Sequence, residues 1–539
     1  MAEKLSKLLF LIICLVVVLT VSCNQKKTTP AQVHIEEEES GMYTNPVIAG
    51  DFADPSIIRV EDTYYSVGTS SEWGPHFPML TSKDLVNWEQ KSYTLKEKPT
   101  WAASSFWAPE LFYKNETFYL YYVAKRKSDG VSCIGVATSQ DPENGFTDEG
   151  ILLSYGKEAI DPFVFEDQGQ LYVSWKAYGL DERPIELLAS KLSKDGLKVE
   201  GEPFSILKDD NSRGIEGQYI VKNDNYYYLF YSEGGCCGKA CDYDVRVARS
   251  KSLRETFEKF EGNPILKANG QWKCPGHGTL VETPDNRWYY MYHAYSQNDD
   301  IYTGRQALLD EILWNEVTGW PEFQNTNSPS IKARLPFKNE KQQVENEISD
   351  EFNSASLSKF WQWDFRNSQP SIVLEKGLLS LSGRTEVDNN TGTVLTIRPA
   401  FGDYEFYTEV SNKNSSLKGL VLYGDVGKAV GIGVSGNTVQ LWEIKENNRN
   451  IMAEKLLDTN EALNLKIEVE NGYKLKFFWS LDKENWQELS ANDSEFYDGK
   501  FLPQWDRSAR PGLIHYGETD NPALFSNFEL SYNKQIVTE

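Results

Sequence analysis

The chain has 539 residues, more than one hydrophobic core normally spans, so two domains are expected. Hydrophobic residues make up 40% and aromatic residues 13%, with 15 Trp, 29 Tyr and 26 Phe, a composition suited to a globular, β-rich protein. A formal net charge of −24 argues against nucleic acid or an anionic membrane surface as the main partner, and leaves neutral glycans unpenalised.

At the N-terminus, Lys4 and Lys7 precede an apolar run over 8–21, which is short for a membrane span and predicts a signal peptide over 1–22. Cys23 follows Ser22 directly after that run and resembles a bacterial lipoprotein lipidation site. Two features depart from the usual pattern: Leu19 lies four residues before the cysteine, and Thr20 takes the place usually held by Leu. Residues 23–40 are polar, end in EEEES, and read as a tether. The expected location is therefore outside the cytoplasm, anchored by lipid at the outer membrane, periplasm or cell surface, with plain secretion as the alternative. Membrane contact is expected only through that anchor.

From residue 41 to about 338 one unit recurs five times, carrying an aromatic strand marked by Tyr64, Tyr119, Tyr172, Tyr227 and Tyr289. The spacings are 119−64=55, 172−119=53, 227−172=55 and 289−227=62. Several short strands in a period near this length predict a five-bladed β-propeller. A second strand echoes at 80–88, 137–139, 189–191 and 248–250, which favours a propeller over a sandwich here. Counting back from each tyrosine, the unit opens on Asp54, on Pro109 with Glu110 beside it, on Asp161, on Glu216 and on His277. Equivalent positions of blades around one axis converge, so Asp54, Asp161 and Glu216 are expected to meet.

Without Cys14 and Cys23, five cysteines remain: Cys133, Cys236, Cys237, Cys241 and Cys274. The odd count leaves at least one unpaired, and the sequence does not give the connectivity. The run GGCCGKAC lacks the CxxC spacing that lets two thiolates share a zinc ion, which favours a disulfide or a buried thiol pair.

Residues 339–349 are polar and charged and read as a linker. Over 350–539 the grammar changes to strict alternation, as at Leu463, Leu465, Ile467 and Val469, resuming at Leu475, Phe477 and Trp479 beyond Asn471-Gly472. That pattern predicts a hairpin with a type I′ turn and, with the other candidate strands, a β-sandwich. The fold class is all-β.

Separated acids brought to one point suggest glycoside hydrolysis, in which one carboxylic acid protonates the leaving oxygen and another group activates water or attacks. A single Asp-Pro at a strand start is usually a turn or cap. Three acids at equivalent blade positions are harder to explain that way, because clustered carboxylates repel one another.

The segments NPVIAGDFADPSIIRVEDTYYSVGTS, FWAPELFYKNETFYLYY, IDPFVFEDQGQLYVSW, GIEGQYIV, GHGTLVETPDNRWYYMYHAY and GRQALLDEILWNEVTGWP together resemble glycoside hydrolase family 43, over about residues 43–335. The resemblance implies an inverting enzyme with Asp54 as general base, Glu216 as general acid and Asp161 as the residue that orients the acid and raises its pKa. It implies a pocket lined by Trp73, Phe77, Trp107, Trp175 and Arg305. For Trp107 buried packing is the competing reading, and for Arg305 a surface salt bridge. No cofactor is required, and the resemblance places His277 on the axis, where a structural Ca²⁺ or Na⁺ ion is reached through water. The cysteine loop resembles one in several branches of the family and shapes the pocket rim or is a solvent-facing disulfide loop.

The C-terminal region looks like the concanavalin-like jelly roll attached to many members. It is expected to bind glycan, to lend a residue to the pocket, or to buttress the propeller. The expected substrate is an arabinose- or xylose-containing plant polysaccharide or oligosaccharide, cleaved as an exo-acting α-L-arabinofuranosidase or β-D-xylosidase. The alternatives are an endo-α-1,5-L-arabinanase, which needs an open groove, and a non-catalytic glycan-binding surface lipoprotein.

Overall fold

The computed structural model describes residues 41–178, 185–338, 340–344, 346–458 and 461–533. The expected signal peptide (1–22), Cys23 and the tether (23–40) lie outside the described residues. Among the described residues every regular element is a β-strand apart from two short 3-10 turns.

Each repeat folds into a four-stranded antiparallel blade, in which strands consecutive in the chain are neighbours in the sheet. Blade 1 comprises Ser56–Val60, Thr63–Val67, His76–Ser82 and Glu89–Leu95. Blade 2 begins on Ala102–Lys114, blade 3 on Glu158–Asp167, blade 4 on Ile215–Asn223 and blade 5 on Trp272–Glu282. The register tyrosines sit on each second strand, and Tyr64, Tyr289 and Tyr227 are buried between blades. The ring is closed by the N-terminal strand Met42–Thr44, which pairs with Lys332–Arg334. Asn45 seals the closure: its side-chain amide donates to the Leu309 and Ser330 carbonyls while its carbonyl accepts from the Leu309 amide.

The C-terminal part is a sandwich of a six-stranded and a larger antiparallel sheet around one apolar core. Its first strand, Glu347–Asp350, pairs with Phe528–Tyr532. The Asn471-Gly472 hairpin has φ of +53° and +72° at its two central residues, the left-handed pair that a type I′ turn requires.

The two parts share a polar and aromatic seam. Trp73–Gly74 of blade 1 pairs with Trp363–Asp364, Gln362 donates to the Pro75 carbonyl at 2.7 Å, and the Arg510 guanidinium lies 4.3 Å over the Trp73 ring.

Candidate active site

Asp54 (φ +52°), just before the inner strand of blade 1, and Ala108 (+44°), Asp161 (+55°), Gly217 (+60°) and His277 (+43°) within the inner strands of blades 2 to 5 all lie in the left-handed region. In blades 2 to 5 the ladder to the next strand slips at this point. A bulge of this kind costs about 1–3 kcal/mol for a non-glycine residue, and it re-aims the side chain out of the sheet. These four bulges, with the left-handed Asp54 at the head of blade 1, place five residues around one axis. The true counterpart of Asp54 and Asp161 in blade 4 is therefore Gly217, and Glu216 stands one residue before it, as Trp107 stands before Ala108 in blade 2.

These positions are wired to one another. The Gly217 amide donates to Asp161 Oδ2 at 3.1 Å. His277 Nδ1 lies 3.4 Å from Asp54 Oδ1 and 3.9 Å from Asp161 Oδ2. Thr69 donates to Asp54 Oδ2 at 2.6 Å and accepts from the Ala108 amide at 2.8 Å. A Cβ on Gly217 would fall 2.9 Å from His277 Cγ, so the approach of blades 4 and 5 requires glycine there.

The three acids have different electrostatic settings. Burial alone would raise the Asp54 carboxyl, but Arg305, whose Nη1 donates to Oδ1 at 3.0 Å, and then His277 hold it well below the usual carboxylate range. The buried His293 lies with Nδ1 3.1 Å from the Asp54 amide, and burial pushes its pKa down to about 4, so it is neutral. Asp161 is raised to about 6 by burial and by the charges of Glu216 and Asp54, against the pull of His277 and Lys176.

Glu216 differs from the sequence-based expectation. Burial raises its carboxyl, yet Lys176, with Nζ 2.5 Å from Oε2, and then His277 and Tyr243 together hold it below its ordinary value. Tyr243 donates to the other oxygen at 2.9 Å. The raised carboxyl is that of Asp161, the expected modulator, and the expected acid is ion-paired.

Of the other residues expected at the pocket, Arg305 is buried and bridges Asp54 to the C-terminal part, its Nη2 donating to the Asp506 carbonyl at 3.3 Å. Trp107 is half-buried and meets Trp505 edge-to-face at 6.0 Å. Three aromatic assignments need correction. Trp73 packs in a cluster with Val394, Tyr423, Trp442 and Ile514, so its ring is spent on the interdomain seam. Phe77 has no exposure and fills the core between blades 1 and 2 with Phe106 and Tyr122. Trp175 is likewise fully buried, against Tyr121 and Ile134 of blade 2. Alternation along its strand sends the next residue, Lys176, to the opposite face and onto Glu216.

Several residues at the site were not anticipated: Lys176, Tyr243, Thr69 and, from the sandwich, Trp505, whose ring is 60% exposed. The cysteine loop ends at Tyr243. Cys236 and Cys237 are bonded to each other, Cys241 is bonded to Cys274 three residues before His277, and Cys133 is free and buried. The Gly238 amide donates to the Tyr295 hydroxyl, and a Cβ on Gly238 would lie 3.3 Å from the Trp505 carbonyl, so this loop meets the sandwich beside the site.

Among the described residues no group of three or more His, Cys, Asp or Glu side chains is arranged to hold a metal ion. Arg305 supplies a cation to Asp54, its Nη1 lying 3.0 Å from Oδ1.

The family model for glycosyl hydrolases family 43 matches residues 43–321, and that for the beta xylosidase C-terminal concanavalin A-like domain matches residues 349–530. A beta-xylosidase from Formosa agariphila is 27% identical over 66% of this chain, and the match spans 64% of that enzyme's own length. An extracellular exo-α-(1→5)-L-arabinofuranosidase, ArbA, from Cellvibrio japonicus is 30% identical over 53% of this chain and 90% of its own. The crystal structure of the GH43 BlXynB protein from Bacillus licheniformis superposes with a TM-score of 0.77 at 24% identity, covering 91% of this chain and 100% of that one, which establishes the common fold of both parts. With more than half of its length matched by the family model, across all five blades and the converging acids, the chain belongs to glycosyl hydrolases family 43.

Proposed function

We propose that the protein is an inverting, exo-acting glycosidase that removes terminal α-L-arabinofuranosyl or β-D-xylosyl groups from plant cell-wall glycans. The observation that carries this reading is the convergence of Asp54, Asp161 and Glu216 from three blades, with Asp54 kept ionised by Arg305. Asp54 is the general base: it takes a proton from the water that attacks the anomeric carbon. Glu216 is the general acid: it gives its proton to the glycosidic oxygen as the bond from the anomeric carbon to that oxygen breaks on the opposite face. Asp161 orients the acid through the Gly217 amide, and its negative charge opposes ionisation of Glu216. His277 spaces the two aspartates.

Exo action is supported by the crowding on the Trp107 side, where the disulfide-stapled loop and Trp505 stand together. The names of the relatives, a beta-xylosidase and an exo-arabinofuranosidase, support both sugars as candidates. The test is a panel of wild type, Asp54→Asn and Glu216→Gln on arabino- and xylo-oligosaccharides and on linear arabinan. Each variant is expected to lose about three or more orders of magnitude in kcat with an unchanged melting temperature. Near-normal turnover in either variant overturns the role assignment, and release of internal fragments from arabinan overturns the exo assignment. Glycan binding with no hydrolysis in wild type overturns the enzyme reading.

A Ca²⁺ or Na⁺ ion reached from His277 through water belongs to this proposal as a structural feature only, and no step depends on it. Export with a lipid anchor on Cys23 rests on the apolar run over 8–21 and on the word extracellular in the name of a relative. Incorporation of labelled palmitate into wild type but not into Cys23→Ser is expected. Equal labelling of both sinks the anchor.

A further inference from the structure

Lys176 is a cation at this site that none of the roles above uses. It comes from the second strand of blade 3, Gln170–Tyr178, and its side chain is 11% exposed. Its ammonium touches Glu216 Oε2 at 2.5 Å, while Tyr243 holds Oε1. Between them the two donors fix both oxygens of the carboxyl. Ordering a lysine stem under cover, beside an acid that must be neutral to act, is costly unless the cation has a use.

The groups facing Glu216 come from every element around it. Lys176 and Asp161 approach from blade 3, Tyr243 from the end of the cysteine loop, His277 from blade 5 and, further off, Asp54 from blade 1. Glu158 of blade 3 acts on Lys176 itself. Lys176 and His277 favour the Glu216 carboxylate, whereas burial and Asp161 favour its protonated form. A cation placed so makes the acid stronger: it stabilises the carboxylate left when the proton departs. The corresponding cost is a smaller protonated fraction at neutral pH.

We propose that Lys176 is a positioning residue for the general acid, holding Glu216 by Oε2 and stabilising the carboxylate that proton donation creates, so that it matters most for leaving groups that cannot depart without a proton. This rests on the reading of Glu216 as the acid. A sugar alkoxide is a poor leaving group and needs nearly full protonation, whereas a nitrophenolate needs almost none. The stronger acid is therefore spent on natural oligosaccharides.

The test is Lys176→Met, assayed on a nitrophenyl glycoside and on the matching oligosaccharide across pH. The expected result has two parts. The basic limb of kcat/KM moves up by about one pH unit or more, because Glu216 stays protonated to higher pH. Turnover of the oligosaccharide falls at least about tenfold further than turnover of the nitrophenyl glycoside. An unmoved basic limb, or an equal loss on both substrates, overturns the proposal, since a lysine that only supports the fold would act on both alike. If Lys176→Met melts early, Lys176→Gln removes the charge while keeping length and a donor, and carries the same two readouts. Glu216→Gln run in parallel separates the two failures: full oligosaccharide activity there removes the acid assignment itself, independently of Lys176.

Discussion

The two sides of the pocket hold their carboxylates in different ways. On the Asp54 side the counter-ion is Arg305, whose guanidinium is wholly covered and gripped at its other end by the Asp506 carbonyl of the sandwich. On the Glu216 side the counter-ion is Lys176, a single ammonium on a flexible stem, opposed by Asp161 of the same blade. A planar, permanently charged group pinned at both ends keeps its partner ionised at all working pH values. A lysine balanced against a nearby carboxylate leaves its partner able to take up a proton when the leaving oxygen arrives. The difference matches what a base and an acid need, and it teaches that the choice of cation, as much as the choice of acid, separates the two roles.

Arg305→Met breaks the contrast most severely. It leaves Asp54 buried without its main cation, so its carboxyl rises toward and past the ordinary range. Asp54 must be ionised to act, and its lowered pKa keeps it out of the acidic limb of the wild-type profile. In the variant that limb should move upward into the assay range, with kcat/KM at its maximum down by roughly a hundredfold or more. Arg305→Lys, which keeps the charge but cannot span Asp54 and Asp506 together, should recover part of the loss. A variant with an unshifted acidic limb would show that Asp54 does not depend on this cation.

The repeat and its acids were legible in the sequence because a propeller imposes one geometry five times, so that a motif at one blade predicts where its echoes lie. The repeat also misled by one residue in blade 4. Glu216 was matched with Asp54 and Asp161, yet the left-handed position there is Gly217, and nothing short of the backbone angles distinguishes the two. The same single-residue limit affected Trp175 and Lys176. A blade packs on both faces, so polarity does not show which of two neighbours turns to the core and which to the pocket. An aromatic beside a motif is a reasonable guess for a sugar platform, but Trp73, Phe77 and Trp175 fill seams and cores instead. The contributions of Trp505 and Asp506 were beyond reach for a different reason: they lie in a second fold about 200 residues from Arg305 and 400 from Trp107, and no local pattern records that approach.

Glu110 sharpens the contrast with the smallest effect. It lies in blade 2 two residues beyond Ala108, buried among the same blades, with the Ser56 hydroxyl donating to Oε2 at 2.7 Å and no cation acting on it. Burial raises it from 4.5 to about 8, despite the help of Ser56. It is what Asp54 and Glu216 would become without Arg305 and Lys176. Between pH 4.5 and about 8 the folded protein keeps a proton on this carboxyl that the unfolded chain has lost, so its contribution to stability falls as pH rises through that window. Glu110→Gln is neutral throughout and can still accept from Ser56. Its melting temperature should match wild type near pH 4 and exceed it by a few degrees at pH 9, with turnover unchanged because the group takes no part in the chemistry. A gap that stayed constant across that range would mean that Glu110 is not the buried, cation-free acid that this contrast requires.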